Sequence, residues 1–307
     1  MKIKKDITNS DWVSLIIPNF NGEKLLEENL SFVFEAFANK ENKILEIIIV
    51  DDASNDGSVN FIKRNYPDIR LIKHKLNRGF PAAVNTGVRM AKGDYIALLN
   101  TDVKPSRNFL VDSLVHFKNE KVFAVSFHEK GYGWARGYFE DGFINHEQGK
   151  ESKSVHETFW VSGGSGIFRR SMWLKLGGMD EKLFTPFYWE DIDISYRAAK
   201  RGWLLLWEPN SKVIHEHEST MKKISINYRK RIQERNQLIF IWKNITSPQL
   251  LKRHFAGLIK RISRHPGYLR IVFLALKKIR IVIKARRKEI KEGKISDEAI
   301  FAKFKND

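Results

Sequence analysis

Four acidic or histidine-bearing segments of this 307-residue chain carry residue types suited to a phosphate-bearing ligand. Asp51-Asp52 ends a β-branched run and leads into Ala53–Ser58. A carboxylate there can accept the imide N–H of a uracil or thymine base or bind a ribose hydroxyl, although Asp, Asn and Ser also favour turns and helix caps. Asn100-Thr101-Asp102 follows the apolar run Tyr95–Leu99. Mg2+ and Mn2+ take oxygen ligands and bridge them to phosphates, so Asp102 is a candidate metal ligand, with a capped turn as the plain alternative. Glu190-Asp191, with Asp193, opens a helical pattern behind Phe187-Tyr188-Trp189. Attack by an acceptor hydroxyl needs a base within hydrogen-bond reach. Acids in a first helical turn also serve the macrodipole alone, but the aromatic lip before them favours chemistry. His215 and His217 lie two apart on a strand-like run, so they share a face and either could ligate a metal. Asn77-Arg78-Gly79-Phe80-Pro81 opens a helix carrying Asn85; Gly79 allows close backbone approach, and the helix N-terminus and Arg78 suit an anionic diphosphate.

The elements that must position these residues follow from hydropathy patterning. Val13–Ile17, Ile44–Val50, Ile69–Ile72, Tyr95–Leu99 and Val122–Phe127 read as strands, alternating with helical patterns at Glu23–Ala38, Ser58–Asn65, Ala82–Ala91 and Ser106–Lys118. That alternation predicts an α/β fold with a mainly parallel sheet flanked by helices, and ligands beyond the carboxyl ends of its strands. Residues 128–157, with glycines scattered among aromatics, read as a long surface loop. Short strands are expected at Phe159–Val161, Ile167-Phe168, Trp203–Trp207 and Lys212–His215, with a helix over Asp191–Arg201 closed by Gly202.

Taken together and in this order, the segments resemble the family 2 glycosyltransferases of the GT-A (Rossmann-like) fold. The resemblance rests on Val13–Gly22, Glu46–Ser58, Asn77–Asp102, Trp160–Gly202 and Val213–Ser219. The spacing of Leu99-Asn100-Thr101-Asp102, Gly163 to Arg170, Gly177-Gly178-Met179-Asp180 and Glu190-Asp191-Ile192-Asp193 is similar to the rhamnosyltransferase-like bacterial branch, which builds cell-surface glycans. The resemblance implies an inverting, metal-dependent transfer from a nucleoside-diphosphate sugar, UDP- or dTDP-linked, to a glycan or lipid-linked acceptor in polysaccharide synthesis. It implies that Asp51 or Asp52 holds the base, with Pro18 and Phe20 near its ring. Asn77, Arg78, Gly79, Asn85, Asn100 and Thr101 would lie along the donor, and Asp102 and His215 would hold Mg2+ or Mn2+. Asp191 would be the catalytic base supported by Glu190, and Gly163, Gly164 and Trp189 would meet the acceptor. The metal signature reads Asn-Thr-Asp where Asp-x-Asp is the general form, as is usual in that branch. Glu216-His217-Glu218-Ser219 stands where the branch more often has a glycine before the serine, which leaves His217 as the rival to His215. Two other classes compete: a non-catalytic nucleotide-sugar- or membrane-binding protein, and a nucleotidyltransferase that would release pyrophosphate.

Composition bounds the rest. The net charge of +18 resides entirely in residues 219–307, which hold 24 Lys and Arg against 6 Asp and Glu. A neutral catalytic domain over 1–218 with a basic, mostly helical C-terminal extension over 219–307 is the expected organisation. Residues 248–291 mix Leu, Ile, Phe and Val with Lys and Arg, as a helix lying on an anionic membrane surface does. A helical extension packed on the core has the same composition. Nucleic acid is not an expected partner, because the neutral body offers no basic groove. Without cysteine the chain can form neither a disulfide nor a thiolate–metal site, which suits a reducing cytosol. Residues 1–12 lack the apolar stretch of a secretory signal, and no run reaches the ~18–20 apolar residues of a membrane span. The expected location is cytoplasmic, peripheral on the inner face of the cell membrane.

Overall fold

The computed structural model describes residues 11–215 and 224–305. Its strands are β1 (Val13–Asn19), β2 (Ile44–Asp51), β3 (Arg70–Lys73), β4 (Tyr95–Leu99), β5 (Val103–Pro105), β6 (Val122–Glu129), β7 (Ala135–Glu140), β8 (Phe143–Gln148), β9 (His156–Glu157), β10 (Ser165–Arg169) and β11 (Leu204–His215). The main sheet runs β3-β2-β1-β4-β10-β6-β11-β5, with β9 on β11. Strands β1 to β4 are parallel, as are β6 and β11, whereas β10 runs antiparallel to both its neighbours. The helices of the first part are α1 (Glu23–Ala38), α2 (Ser58–Asn65), α3 (Phe80–Met90), α4 (Val111–His116), α5 (Arg170–Leu176), α6 (Glu181–Phe184) and α7 (Glu190–Lys200).

Alternation along β1 shows why both faces are covered. Leu15 and Ile17 join Leu26, Leu30 and Val33 of α1 in one core, while Ile16 points the other way into a core with Ala83, Val84 and Val88 of α3. A strand that is apolar on both sides can only be interior, which is what its run Leu15-Ile16-Ile17 demands.

Three expectations are corrected. The stretch 128–157 is no surface loop: β7 and β8 form an antiparallel hairpin. Its turn, Asp141-Gly142, has both residues at positive φ (48° and 85°), the geometry that Asp-Gly favours between two strands. Phe159 and Val161 are buried and Trp160 partly so, but the stretch belongs to no strand. The strand pair expected at Trp203–Trp207 and Lys212–His215 is one strand, β11, irregular against β6 between Glu208 and Lys212.

The tail folds into α8 (Ile226–Asn244), α9 (Pro248–Arg264), α10 (Leu269–Leu276), α11 (Ile279–Glu292) and α12 (Asp297–Ala302). Its apolar side chains share a third core with the hairpin and α7, in which Leu238, Phe240 and Ile271 meet Trp134, Phe143, Trp189 and Tyr196. Buried ion pairs cross the same boundary, Lys200 to Asp297 at 2.9 Å and Arg201 to Glu289 at 2.7 Å. Once charges are buried, partners at hydrogen-bond distance are required, so these pairs fix how the tail sits.

Candidate active site

A cleft of about 750 Å³ opens beyond the carboxyl ends of β1, β2 and β4. Asp102, Glu190, Asp191 and His215 all line it, although they come from three different parts of the fold.

At one place in the cleft, His215 at the end of β11 meets Asp102 in the turn after β4, with Nε2 3.2 Å from Oδ1. The other ring nitrogen, Nδ1, lies 3.0 Å from Glu129 Oε1, which also accepts from Ser165 Oγ at 2.5 Å. Burial opposes the charged imidazolium, but hydrogen bonds to Asp102 and Glu129, with their charges, outweigh it and raise its pKa to about 9. This donor set fits a divalent cation. Two ligands adjacent on an octahedral ion with bonds of 2.0–2.1 Å stand about 3 Å apart, close to the observed Asp102–His215 spacing. Glu129 occupies the supporting position that a carboxylate takes behind a ligating histidine. Among the described residues no three His, Cys, Asp or Glu side chains form a ready cage, so a cation here would complete its shell with ligand and water oxygens. His217 lies outside the described residues.

Elsewhere in the cleft wall, α7 begins with its acid cluster, and the three acids differ. Glu190 is buried, its Oε2 has no hydrogen-bond partner among the described residues, and burial together with the Asp191 charge lifts its pKa well above the usual range. Burial also raises the pKa of Asp191, although its carboxylate accepts from Ile192 N at 2.8 Å and Gly163 N at 3.5 Å. Asp193 is equally buried, but its ion pairs with Arg197 and Lys243 overcome desolvation and lower its pKa. Two carboxyls held against their solvation preference on a cleft wall are what proton-transfer chemistry uses; the third is a structural anchor.

Asp51 and Asp52 sit differently with respect to the cleft. Asp51 is fully buried behind the wall, accepting from Asn19 Nδ2 at 2.9 Å and Ser54 N at 3.1 Å. Asp52 lines the cleft with Pro18, Phe20 and Asn77. Its carboxylate accepts from Arg78 N at 2.9 Å and Gly79 N at 2.7 Å, and lies 2.6 Å from His74 Nδ1.

Several expected contacts lie elsewhere. The Arg78 guanidinium turns to Glu181, 2.8 Å away. Asn85 is tied to Met179, donating to its carbonyl at 2.8 Å and accepting from its amide at 3.0 Å, and does not line the cleft. The N-terminus of α3 offers no free anion site at its first amides: Gly79 N is bonded to Asp52, and Phe80 N donates to Pro186 O at 3.0 Å. Gly79 matters sterically instead, with φ of 84° and Pro186 O 2.9 Å from where a Cβ would sit. Trp189 faces the tail core, its ring 5.1 Å from Phe240, so Phe187 and Tyr188 form the cleft lip. Asn100, Thr101, Gly163 and Gly164 do line the cleft; a Cβ on Gly164 would lie 2.2 Å from Asn100 Nδ2.

Sequence reasoning missed Glu129, Ile224 and Tyr228. A carboxylate at a strand end was a usable signal for Glu129; Ile224 and Tyr228 sit at the start of the tail with no motif around them.

Comparison with known proteins bears on the family and the fold. Residues 14–174 match the family model described as glycosyl transferase family 2. A pre-mycofactocin glycosyltransferase of Mycobacterium tuberculosis is 30% identical over 58% of this chain and 39% of its own length. An N-acetylglucosaminyl-diphospho-decaprenol L-rhamnosyltransferase of the same organism is 24% identical over 56% of this chain and 66% of its own. The chain thus spans less than two thirds of either relative. Among solved structures, GalNAc-T7 with UDP, GalNAc and Mn2+ superposes with a TM-score of 0.64 at 17% identity, covering 85% of this chain and 57% of that one. The mannosyltransferase PcManGT of Pyrobaculum calidifontis, in complex with GDP-Man and Mn2+, gives 0.56 at 17% identity, covering 91% and 85%. At such identity the likeness establishes the fold, which is the expected GT-A arrangement. With over half of its length matched by the family model, this chain belongs to glycosyl transferase family 2.

Proposed function

We propose that the protein is an inverting, metal-dependent glycosyltransferase that moves a sugar from a nucleoside-diphosphate donor to an acceptor hydroxyl in cell-surface polysaccharide synthesis. The observation that carries the reading is that one cleft holds both the Asp102–His215 pair and the Glu190–Asp191 pair. Solved structures of the same fold hold UDP or GDP-Man with Mn2+, which supports a nucleotide-sugar donor. The rhamnosyltransferase among the relatives, named for a diphospho-decaprenol-linked sugar, supports a lipid-linked acceptor.

In this reading Asp52, Phe20 and Pro18 contact the nucleoside. Asp102 and His215 hold a divalent cation, which when bound stabilises the departing diphosphate as a Lewis acid. Asp191 takes the proton of the attacking hydroxyl as that oxygen bonds to the anomeric carbon and the bond to the diphosphate oxygen breaks. Glu190, buried beside it, supports Asp191 and the acceptor. Phe187 and Tyr188 shield the cleft from water. Exposed Phe255, Ile259, Phe273 and Ile283, interspersed with Lys and Arg, support docking of residues 248–291 on an anionic membrane surface. Among the described residues no helix is long and apolar enough to cross a membrane.

The test is a screen of UDP-, dTDP- and GDP-sugars for thermal stabilisation and donor hydrolysis, with and without Mn2+. A ligand at 100 times its dissociation constant stabilises a fold by about 2.7 kcal/mol. No donor stabilising or being hydrolysed, with Mn2+ present, would overturn the proposal.

A further inference from the structure

The segment leading into the acid pair has an unusual source of order. Residues 185–188 form neither helix nor strand, yet every carbonyl from Lys182 to Tyr188 has a donor, and three tail side chains supply all but one. Lys278 Nζ donates to the carbonyls of Lys182 and Leu183 at 2.6 and 2.9 Å. Arg235 Nη2 donates to Thr185 O at 2.8 Å. Asn236 Nδ2 reaches the carbonyls of Phe184, Phe187 and Tyr188 at 3.3, 3.0 and 2.8 Å. Pro186 O is taken by Phe80 N.

Asn236 is fully buried, and its Oδ1 accepts from Arg235 Nε and Nη2 at 2.9 and 2.7 Å. That contact fixes which way round the amide sits, with its NH2 toward the carbonyls. The gathered carbonyls accompany a backbone that bulky side chains avoid, with φ of 72° at Tyr188 and 74° at Trp189. This double left-handed step sends Trp189 into the tail core and starts α7 with Glu190 and Asp191 at the cleft. Tyr228, two turns earlier on α8, lines the same cleft, its ring 6.4 Å from Phe187.

We propose that Arg235 and Asn236 are positioning residues for catalysis: by holding the carbonyls of 184–188 they place the Asp191 carboxylate and the Phe187–Tyr188 lip, so the basic tail is part of the catalytic machinery. The proposal rests on the transferase reading given above. In this reading the nucleoside and cation contacts come from the ends of β1, β2, β4 and β11, to which neither Arg235 nor Asn236 donates, so the clamp governs turnover and leaves donor affinity alone.

Asn236→Asp tests it in the full-length protein, since an isosteric carboxylate turns acceptor oxygens toward carbonyls that need donors. Arg235→Lys is the milder second variant, removing the fork while keeping the charge. The probe is the donor that the wild type hydrolyses best in the sugar-nucleotide screen with Mn2+. Expected are a fall in kcat of about 100-fold, the scale of an ångström-level misplacement, a donor dissociation constant unchanged within about 2-fold, and faster amide exchange across residues 182–191. Equal loss of kcat and donor affinity, or wild-type kcat and exchange in a folded variant, would overturn the proposal. If Asn236→Asp does not fold, Arg235→Lys is read by the same criteria. If the wild type turns over no donor, the transferase reading fails, while amide exchange still decides whether the clamp orders 182–191.

Discussion

His215 Nε2 lies 3.2 Å from Asp102 Oδ1, joining the last residue of β11 to the turn after β4 across the mouth of the sheet. Because Asp102 directly precedes β5, whose Val103 pairs with His215, their spacing is set by the sheet and not by either side chain's freedom. If they hold a cation, Asp102→Ala removes the Mn2+-dependent part of donor-induced thermal stabilisation. Glu129→Gln, which alters the support behind His215, weakens metal affinity by about 10–100-fold. Titration of Mn2+ against the melting temperature checks both, and an undiminished Mn2+ effect in Asp102→Ala would remove it from the metal site.

Asp191→Asn is expected to keep donor binding and lower transfer by about 10²–10⁴-fold. Retained turnover would exclude Asp191 as the base. Since burial raises its pKa, activity in the wild type should fall on acidification at a pH above the ordinary carboxylate range, because only the ionised form accepts a proton.

The same two carboxyls bear on stability. A group whose pKa is raised by folding stabilises the fold at low pH, and that contribution is lost as pH rises through the folded value. Glu190 and Asp191 both have this sign. Glu190→Gln and Asp191→Asn should therefore melt above the wild type at pH 8, with the difference shrinking on acidification. Melting curves at several pH values check it; a variant less stable at pH 8 would show that the ionised carboxylates are well accommodated.

Asp297 has the opposite sign. Burial opposes its ionisation, but hydrogen bonds from Tyr196 and Lys200 win and lower its pKa, and it also accepts from Ser247 N at 2.7 Å. Its contribution is present above the unfolded value, near pH 4, and lost as pH falls below it. Asp297→Ala leaves Lys200 buried without its ion-pair partner and should destabilise by about 3–5 kcal/mol, measured by denaturant unfolding at pH 7.

Membrane docking is checked by co-sedimentation with vesicles. Binding to anionic vesicles, loss at high salt and loss in a Phe255→Glu, Phe273→Glu double variant are expected. Equal binding to neutral vesicles, or none to anionic ones, would exclude the proposed surface.

The sequence by itself determined the αβ alternation, because strands buried on both faces must be continuously apolar, as in Ile44–Val50. It also located the turn that bears Asp102, directly after the strand Tyr95–Leu99, and the helix start that bears Glu190-Asp191. What it could not determine depends on contacts between distant segments. Local spacing makes Asp51 and Asp52 equivalent; both are buried, and only the folded sheet puts Asp51 behind the wall and Asp52 at the cleft. The aromatic run Phe187-Tyr188-Trp189 looks uniform, yet two left-handed residues split it between cleft and core. The hairpin at 135–148 was obscured because its apolar face is covered by α8 and α9, far along the chain. For the same reason the basic tail reads as an appendage, although Arg235 and the buried Asn236 tie it to the segment at the cleft and the buried Asp297 ties it to α7.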